Sequence, residues 1–236
     1  EDKSEQEVQA FQGLVLAVAA PAHAFEFDFA GGDVTGYLDT TLSVGSLWRM
    51  QGRNPGLIAI ANGGTSRDPN ADDGNLNYDK GALVSLALNA TVDFSLKYRD
   101  FGMFARGTYL YDKAAIDKAD LGIKAIDHTA NYAQLLDVYA FGKFDVAGRA
   151  LFVRAGDQVV NWGESTFIRN GISILNPVDV AKLRTPGVEL KEVLSPTPML
   201  WLSQELTDHL SVEATWMVRW DEHFPDTQVR PDPRGT

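Results

Sequence analysis

Alternation of apolar and polar residues is the dominant pattern along this chain. From Leu83 to Arg99 the even-numbered positions are apolar or aromatic, and the odd-numbered positions are mainly polar or charged. A period of two residues indicates β-strands with one apolar face and one polar face. The pattern predicts long strands at Val34–Trp48, Leu83–Arg99 and Leu210–Trp220, and shorter ones at Phe101–Tyr111, Leu135–Asp145, Arg149–Val159 and Pro198–Thr207.

The lengths of these strands and of their connections point to a membrane protein. Strands of a globular sheet usually have about 5–6 residues, whereas a tilted strand that crosses a bilayer needs about 9–11. Tight turns are predicted at Arg99–Gly102, Phe144–Gly148 and Leu206–His209, and long connections lie between the other strands. Short turns at one end and long loops at the other are typical of outer-membrane barrels.

We therefore predict an all-β fold, an antiparallel outer-membrane β-barrel with inward loops and short helical turns. In such a barrel the apolar positions face lipid and polar positions such as Thr91 face the lumen, where a large side chain should be tolerated. A soluble periplasmic β-sandwich that acts as a binding module is the main alternative, because its strands have the same period. That alternative would bury the apolar positions between two sheets.

The amino-terminal region suggests export. Within residues 1–24, the apolar run Leu14–Ala22 overlaps the triplet Ala22-His-Ala24, which has the A-x-A form of a signal-peptide cleavage site. We expect a signal-peptide remnant or a disordered amino terminus at 1–24, a barrel region at 25–225 and a truncated tail at 226–236. Because two prolines make that tail unsuitable as a closing strand, the chain is expected to be the amino-terminal part of a larger barrel in the outer membrane of a Gram-negative bacterium.

Composition removes several classes of function. The chain has 236 residues, with 21 Lys and Arg against 32 Asp and Glu, and its net charge of -11 disfavours a nucleic-acid partner. Cysteine is absent, which excludes thiolate chemistry and disulfides. The four histidines are scattered, and Ser165 lacks the G-x-S-x-G context of a hydrolase nucleophile. We predict that the protein is not an enzyme; an outer-membrane hydrolase using Ser165 and His128 is the weaker alternative.

An Asx-rich loop at 62–81 is expected outside the cell and resembles a calcium loop imperfectly. Its oxygen donors fall at positions 1, 3, 5 and 12 of that template, but the glycine comes one residue late and an aspartate replaces the final glutamate. An ordinary turn-rich loop is the alternative, with no cofactor bound. The candidate calcium ligands are Asp68, Asn70, Asp72 and Asp79.

Residues 160–187 are predicted to fold inward and line the lumen. Paired charges in a confined pore decide what passes, so the polar, glycine-punctuated stretch after β-strand residue Arg154 is the candidate constriction. A short helical turn is expected at Asp179–Leu183, between the Asn176-Pro177 and Pro186-Gly187 breaks. The predicted constriction residues are Arg154, Trp162, Glu164 and Arg169.

Five short strings, in order and with suitable spacing, resemble the proteobacterial family called domain of unknown function 1302. The resemblance spans about residues 25–225. It implies an exported, β-rich outer-membrane protein that acts as a channel or transporter for lipidic or other hydrophobic compounds, with a periplasmic lipoprotein partner, and it carries over no functional residue. The strings are GYLDTTLS at 36–43, IANGGT at 60–65, DDGNLNYDKG at 72–81, QVVNWGES at 158–165 and NPVD at 176–179.

Overall fold

The computed structural model describes residues 13–20, 24–67, 76–118, 129–162 and 175–220. These residues form one antiparallel sheet of nine strands, so the predicted all-β antiparallel fold is confirmed. The strands are β1 (Gly13–Ala20), β2 (Phe25–Phe29), β3 (Val34–Arg49), β4 (Leu83–Tyr98), β5 (Phe101–Asp112), β6 (Asn131–Val146), β7 (Arg149–Gln158), β8 (Thr197–Thr207) and β9 (Leu210–Met217).

From β3 onward each strand pairs with the next one in the chain. At the first edge, β1 pairs with Leu42–Arg49 of β3 and β2 pairs with Val34–Leu38, so the two lie along the same side of β3. In the part of the chain that the structure describes, β1 and β9 do not pair with each other, and the sheet is open. A closed barrel is thus not seen among these residues, and the larger outer-membrane barrel of which the sequence predicts this chain to be a part stays a prediction.

The predicted strand bounds agree with the structure to within a few residues. The predicted strand Leu83–Arg99 is observed as β4, ending at Tyr98, and Leu135–Asp145 lies inside the longer β6. β1 and β2 were not predicted as strands. The apolar run of β1 has no alternation and is typical of an export signal. In the structure this run pairs with β3 as a strand of the sheet, and export stays a prediction.

All tight turns lie at one end of the sheet, which we call the turn end, and all long connections lie at the other, the loop end. The turn end holds the predicted reversals at Arg99, Ala147 and Asp208. Arg99 and Ala147 have positive φ values of 53° and 56°, as tight antiparallel turns require. The strand ends from which the long connections start therefore lie at the loop end.

Three short α-helices lie in the described connections: α1 (Lys113–Ile116), α2 (Val180–Leu183) and α3 (Leu190–Val193). The predicted helical turn at Asp179–Leu183 is confirmed, since the Asp179 carboxylate accepts from the backbone N–H groups of Ala181 and Lys182 and caps α2. None of the helices in the described residues is long and apolar enough to cross a membrane.

The two faces of the sheet differ in a way opposite to that of a soluble protein. On β4 the polar positions Ser85, Asn89 and Thr91 are buried, whereas Leu86 and Leu88 are 37% and 44% exposed. Register extends both faces across the neighbouring strands, because Val44 lies opposite Leu88 and Ser43 lies opposite Asn89. We call the side with Ser43, Asn89 and Thr91 the polar face and the side with Val44, Leu88 and Val92 the apolar face.

Candidate functional site

The polar face is covered near the loop end by residues 175–196, which we call the covering segment. Asn176 fixes its start, because its side-chain amide donates to the carbonyl oxygens of Gln158 and Ser195 at 3.0 Å each and accepts from the N–H of Val160 at 2.9 Å. The two ends of the segment are also joined by a backbone bond from Ser195 to Pro177. The segment is therefore a closed loop that leaves β7 and returns to β8.

A buried carboxyl group attaches the covering segment to the middle of the sheet. Glu192 of α3 is 2% exposed and accepts from Asn89 Nδ2 at 2.8 Å and from Thr91 Oγ1 at 2.7 Å. Thr108 Oγ1 lies 3.3 Å from the same carboxyl group. Since a buried polar group costs free energy unless it is hydrogen-bonded, this set of partners is what allows Glu192 to lie beneath the segment.

Close backbone contact completes the attachment on β3. Ser43 Oγ donates to the carbonyl oxygen of Gly187 at 2.6 Å. A Cβ atom on Gly45 would lie only 2.3 Å from the carbonyl oxygen of Pro186, so this strand position admits only glycine while the segment is in place. The Pro186-Gly187 pair noted in the sequence as a chain break is thus the point of tightest packing against the sheet.

Lys182 of α2 is buried over β6. Its ammonium nitrogen lies 2.5 Å from Gln134 Oε1 and 5.3 Å from the centre of the Tyr132 ring. Burial lowers the pKa of the Lys182 ammonium below its usual value, and the carboxylates of Asp179 and Glu192 act in the opposite direction. Among the described residues, the Lys182 ammonium contacts polar and aromatic neighbours and has no direct ion pair.

Beyond the covering segment, towards the turn end, the polar face encloses a cavity of about 540 Å³. Most of its lining comes from five adjacent strands, β3 to β7, so the sheet must curve around it; Val159 lies just after β7, and Lys191 belongs to the covering segment. That volume lies within the range of about 300–1,000 Å³ usual for small-molecule sites. The lining residues are Tyr37, Ser95, Phe104, Arg106, Asp137, Tyr139, Phe141, Arg154, Val159 and Lys191.

One wall of the cavity is a paired charge network. Arg106 binds Asp93 through two hydrogen bonds of 2.7 and 2.8 Å and lies 3.4 Å from Asp137. Asp137 also accepts from the N–H of Val159 at 3.0 Å, and Lys191 of the covering segment bridges Glu189 at 2.9 Å and Asp93 at 3.8 Å. Every charge in this wall has an opposite charge beside it.

The other wall contains Arg154, one of the predicted constriction residues. Its guanidinium carbon lies 4.3 Å from the centre of the Trp201 ring and 5.4 Å from that of Tyr139. The indole N–H groups of Trp201 and of Trp162, another predicted residue, donate to Glu213 Oε2 at 3.3 and 2.7 Å. The structure thus connects Arg154 and Trp162 through Trp201 and Glu213, two residues that are not among the predicted constriction residues.

Most of the remaining predicted site residues lie outside the described residues. Glu164 and Arg169 lie outside the described residues, as do Ser165 and His128 of the hydrolase alternative. For the calcium loop, Asp68, Asn70 and Asp72 are likewise outside them, whereas Asp79 is exposed and forms an ion pair with Arg53 at 2.9 Å. Among the described residues, no group of three or more His, Asp or Glu side chains is placed to hold a metal ion. The calcium site stays a prediction.

Sequence reasoning missed the charge network and the buried Glu192, although the sequence does indicate one ion pair of that network. A tight turn at Arg99–Asp100 fixes the register of the β4–β5 hairpin, and that register puts Asp93 opposite Arg106. Counting back from the turn would have found this cross-strand ion pair. Asp137 joins through an irregularity in the β5–β6 pairing, which the alternation does not reveal.

The family comparison gives a result that agrees with the sequence resemblance. A family model described as "Protein of unknown function (DUF1302)" matches residues 8–236. Comparison with curated proteins and with solved structures found no match. Because the family model covers nearly the whole chain, including β1 and the covering segment, this protein belongs to the DUF1302 family.

Proposed function

We propose that this protein forms part of an outer-membrane β-barrel, and that the barrel is a channel or transporter for lipidic or other hydrophobic compounds. The observation that carries the proposal is the reversed burial of the sheet: its polar face is covered near the loop end, and its apolar face is exposed. A β-sandwich binding module would bury the apolar positions of β4 instead. A membrane barrel needs the arrangement described here, since its outer surface contacts lipid and its interior contacts water or polar groups.

The extent of the apolar face supports the proposal. Leu42, Val44, Leu135, Val212 and Val218 are each about half exposed or more, at 50%, 50%, 68%, 48% and 71%. Soluble monomers rarely expose contiguous apolar patches of more than a few hundred Å². A face of this kind along nearly every strand fits a lipid environment.

Aromatic residues on the apolar face are concentrated near both ends of the strands. Outer-membrane barrels carry aromatic girdles at the two membrane interfaces, about 25 Å apart. Phe29, Tyr98, Phe101 and Phe144 lie near the turn end, and Trp48, Tyr111 and Trp216 lie towards the loop end.

The proposal requires that the two unpaired edges of the described sheet be closed. Unpaired backbone groups at a sheet edge are costly within a bilayer, so the edges at β1 and β9 must be joined, directly or through further strands. The covering segment and the cavity would then lie inside the barrel. A segment that narrows the lumen beside a ligand-sized cavity is suited to selective passage rather than to free diffusion.

Fractionation tests the proposal. The protein expressed in a Gram-negative host should remain in the outer-membrane pellet after washing with alkaline carbonate, and it should require detergent for extraction. Recovery in the soluble periplasm without detergent would overturn the membrane assignment. Uptake of a hydrophobic compound by cells that express the protein, compared with cells that lack it, tests transport separately.

A further inference from the structure

We propose that the cavity on the polar face binds organic anions that carry a carboxylate on an apolar body, and that Arg154 is the residue that recognises the carboxylate. This inference deepens the proposed function, because it names the class of compound that the barrel would take up. It starts from the difference between Arg154 and the other cations of the cavity.

Arg106 and Lys191, the other two lining cations, are already occupied by carboxylates of the protein, as described above. Arg154 makes no ion pair with any described residue, and its Nε atom is buried with no hydrogen-bond partner among them. A guanidinium offers five N–H donors, and a buried donor without an acceptor is destabilising. A ligand carboxylate would supply acceptors to the terminal nitrogens of the guanidinium, which are not among its buried atoms without a partner.

The position of Arg154 suits recognition. The Trp201 and Tyr139 rings contact its guanidinium, which limits its rotation and leaves the planar group less entropy to lose on binding. Arginine presents paired donors that match the two oxygens of a carboxylate. Arg154 is thus the lining cation whose charge is not already paired with a carboxylate of the described residues.

The rest of the lining favours an apolar body. Phe104 and Tyr139 lie 5.4 Å apart between ring centres, and Tyr139 and Phe141 lie 6.4 Å apart, so the three rings form a continuous aromatic surface beside Arg154. Aromatic surfaces take up rings and aliphatic chains through burial of apolar area. A small polar anion such as phosphate would leave this surface unused.

The test is calorimetric titration of the full chain in a nonionic detergent. The probe is 2-naphthoate, and its neutral counterpart is 2-naphthylmethanol, each corrected for partition into empty micelles. Because a hydrogen-bonded charge pair contributes more than a neutral bond, we expect the wild-type protein to bind the acid at least about tenfold more tightly than the alcohol.

Arg154→Gln should lose at least about tenfold in affinity for the acid and change affinity for the alcohol by less than about twofold. Arg149→Gln is the matched control, since Arg149 is on the same strand but pairs with Asp208 at the turn end. It should behave like the wild type.

Equal wild-type affinity for acid and alcohol would overturn the proposal, as would full retention of the preference in Arg154→Gln. Should Arg154→Gln fail to assemble, the ratio of wild-type affinities for the acid and the alcohol still decides whether the cavity selects a carboxylate. The outcome is independent of fractionation: a protein that is soluble without detergent but prefers the acid would refute the membrane assignment and keep the binding site.

Discussion

The two faces of β4 give neighbouring residues opposite environments. Leu88 is 44% exposed, whereas Asn89, the next residue, is 3% exposed and hydrogen-bonded to Glu192. In a soluble sheet the leucine would be buried and the asparagine would face water. This arrangement is what the proposed lipid contact of the apolar face requires, and the covered part of the polar face is built from specific hydrogen bonds.

The polar face itself is divided into two zones. Near the loop end, Asn89, Thr91 and Thr108 are buried beneath the covering segment, each less than 6% exposed. Towards the turn end, Ser95 and Phe104 line the open cavity. Polar positions of one strand therefore differ in their tolerance of substitution, according to whether the segment lies over them.

The largest expected effect comes from a charge on the apolar face. Val92 lies midway along β4, opposite Thr40 on one side and Gly107 on the other, and is 37% exposed. If this face contacts lipid, Val92→Arg should lower the free energy of unfolding by about 2–4 kcal/mol, because a cation near the bilayer midplane loses its hydration. The measurement is urea unfolding of the protein refolded in lipid vesicles.

Ser95→Arg is the matched control on the opposite face of the same strand. The cavity beside Ser95 has room for the longer side chain, so we expect a change of less than about 1 kcal/mol. Similar losses in both variants would mean that both faces are packed in a soluble core. A harmless Val92→Arg would show that the apolar face does not contact lipid.

The second largest effect is expected from a substitution that removes the attachment of the covering segment to the sheet. Glu192→Ala removes the acceptor for Asn89 and Thr91. The buried Asn89 amide then lacks an acceptor among the described residues, while Thr91 Oγ1 keeps Thr108 Oγ1 at 3.3 Å, so the seated segment should be destabilised by about 2–3 kcal/mol. The strands retain their backbone pairing, so assembly should be kept while residues 175–196 become sensitive to protease. Cleavage is followed by mass spectrometry.

Glu189→Ala serves as the control for this variant. Glu189 lies on the same segment, its side chain is 39% exposed, and its described ion pair is with Lys191 of the segment. Protease resistance should match that of the wild type. If Glu192→Ala is equally resistant, the carboxyl group is not what holds the segment on the sheet.

Alternation in the sequence predicted the faces of the sheet correctly but not what covers them. The assignment of Thr91 to the polar face is confirmed by its register opposite Thr108, while the expectation that Thr91 tolerates a large side chain conflicts with its 2% exposure. Its partner Glu192 lies 101 residues further along the chain. A periodicity of two residues carries no information on such a distant contact.

The N-P-V-D motif at 176–179 contains one feature that local rules predict and one that they do not. Local rules for proline and for helix caps predicted the turn at Asp179–Leu183, because capping depends on residues two or three positions apart. The role of Asn176 was not predictable in the same way, since its amide joins Gln158, Val160 and Ser195 from separate strand ends. The candidate site is accordingly composed of predicted residues, such as Arg154, and of partners that only the tertiary fold supplies.

The smallest expected effect is a change with pH in the stability that the buried Lys182 gives to the covering segment. The pKa of Lys182 is lowered by burial, whereas in the unfolded chain a lysine titrates near 10.4. Between the lowered value and about 10.4 the unfolded state binds more protons than the folded state, so the contribution of Lys182 to stability rises with pH across that window. Relative to Lys182→Met, the wild-type protein should therefore gain protease resistance in the covering segment as the pH is raised from about 8 to about 10.

Lys113→Met provides a pH-independent control at the exposed helix α1. Lys113 bonds to Asp117 at 2.5 Å, and this hydrogen bond raises the pKa of the Lys113 ammonium. A raised lysine pKa gives a contribution to stability that is fully present below about 10.4 and is lost only as the pH rises through the folded value. From about pH 8 to about pH 10 the difference in protease resistance between the wild type and Lys113→Met should therefore stay nearly constant, whereas the difference between the wild type and Lys182→Met should grow. A Lys182→Met variant whose difference from the wild type does not change with pH would show that the covering segment leaves this ammonium in contact with water.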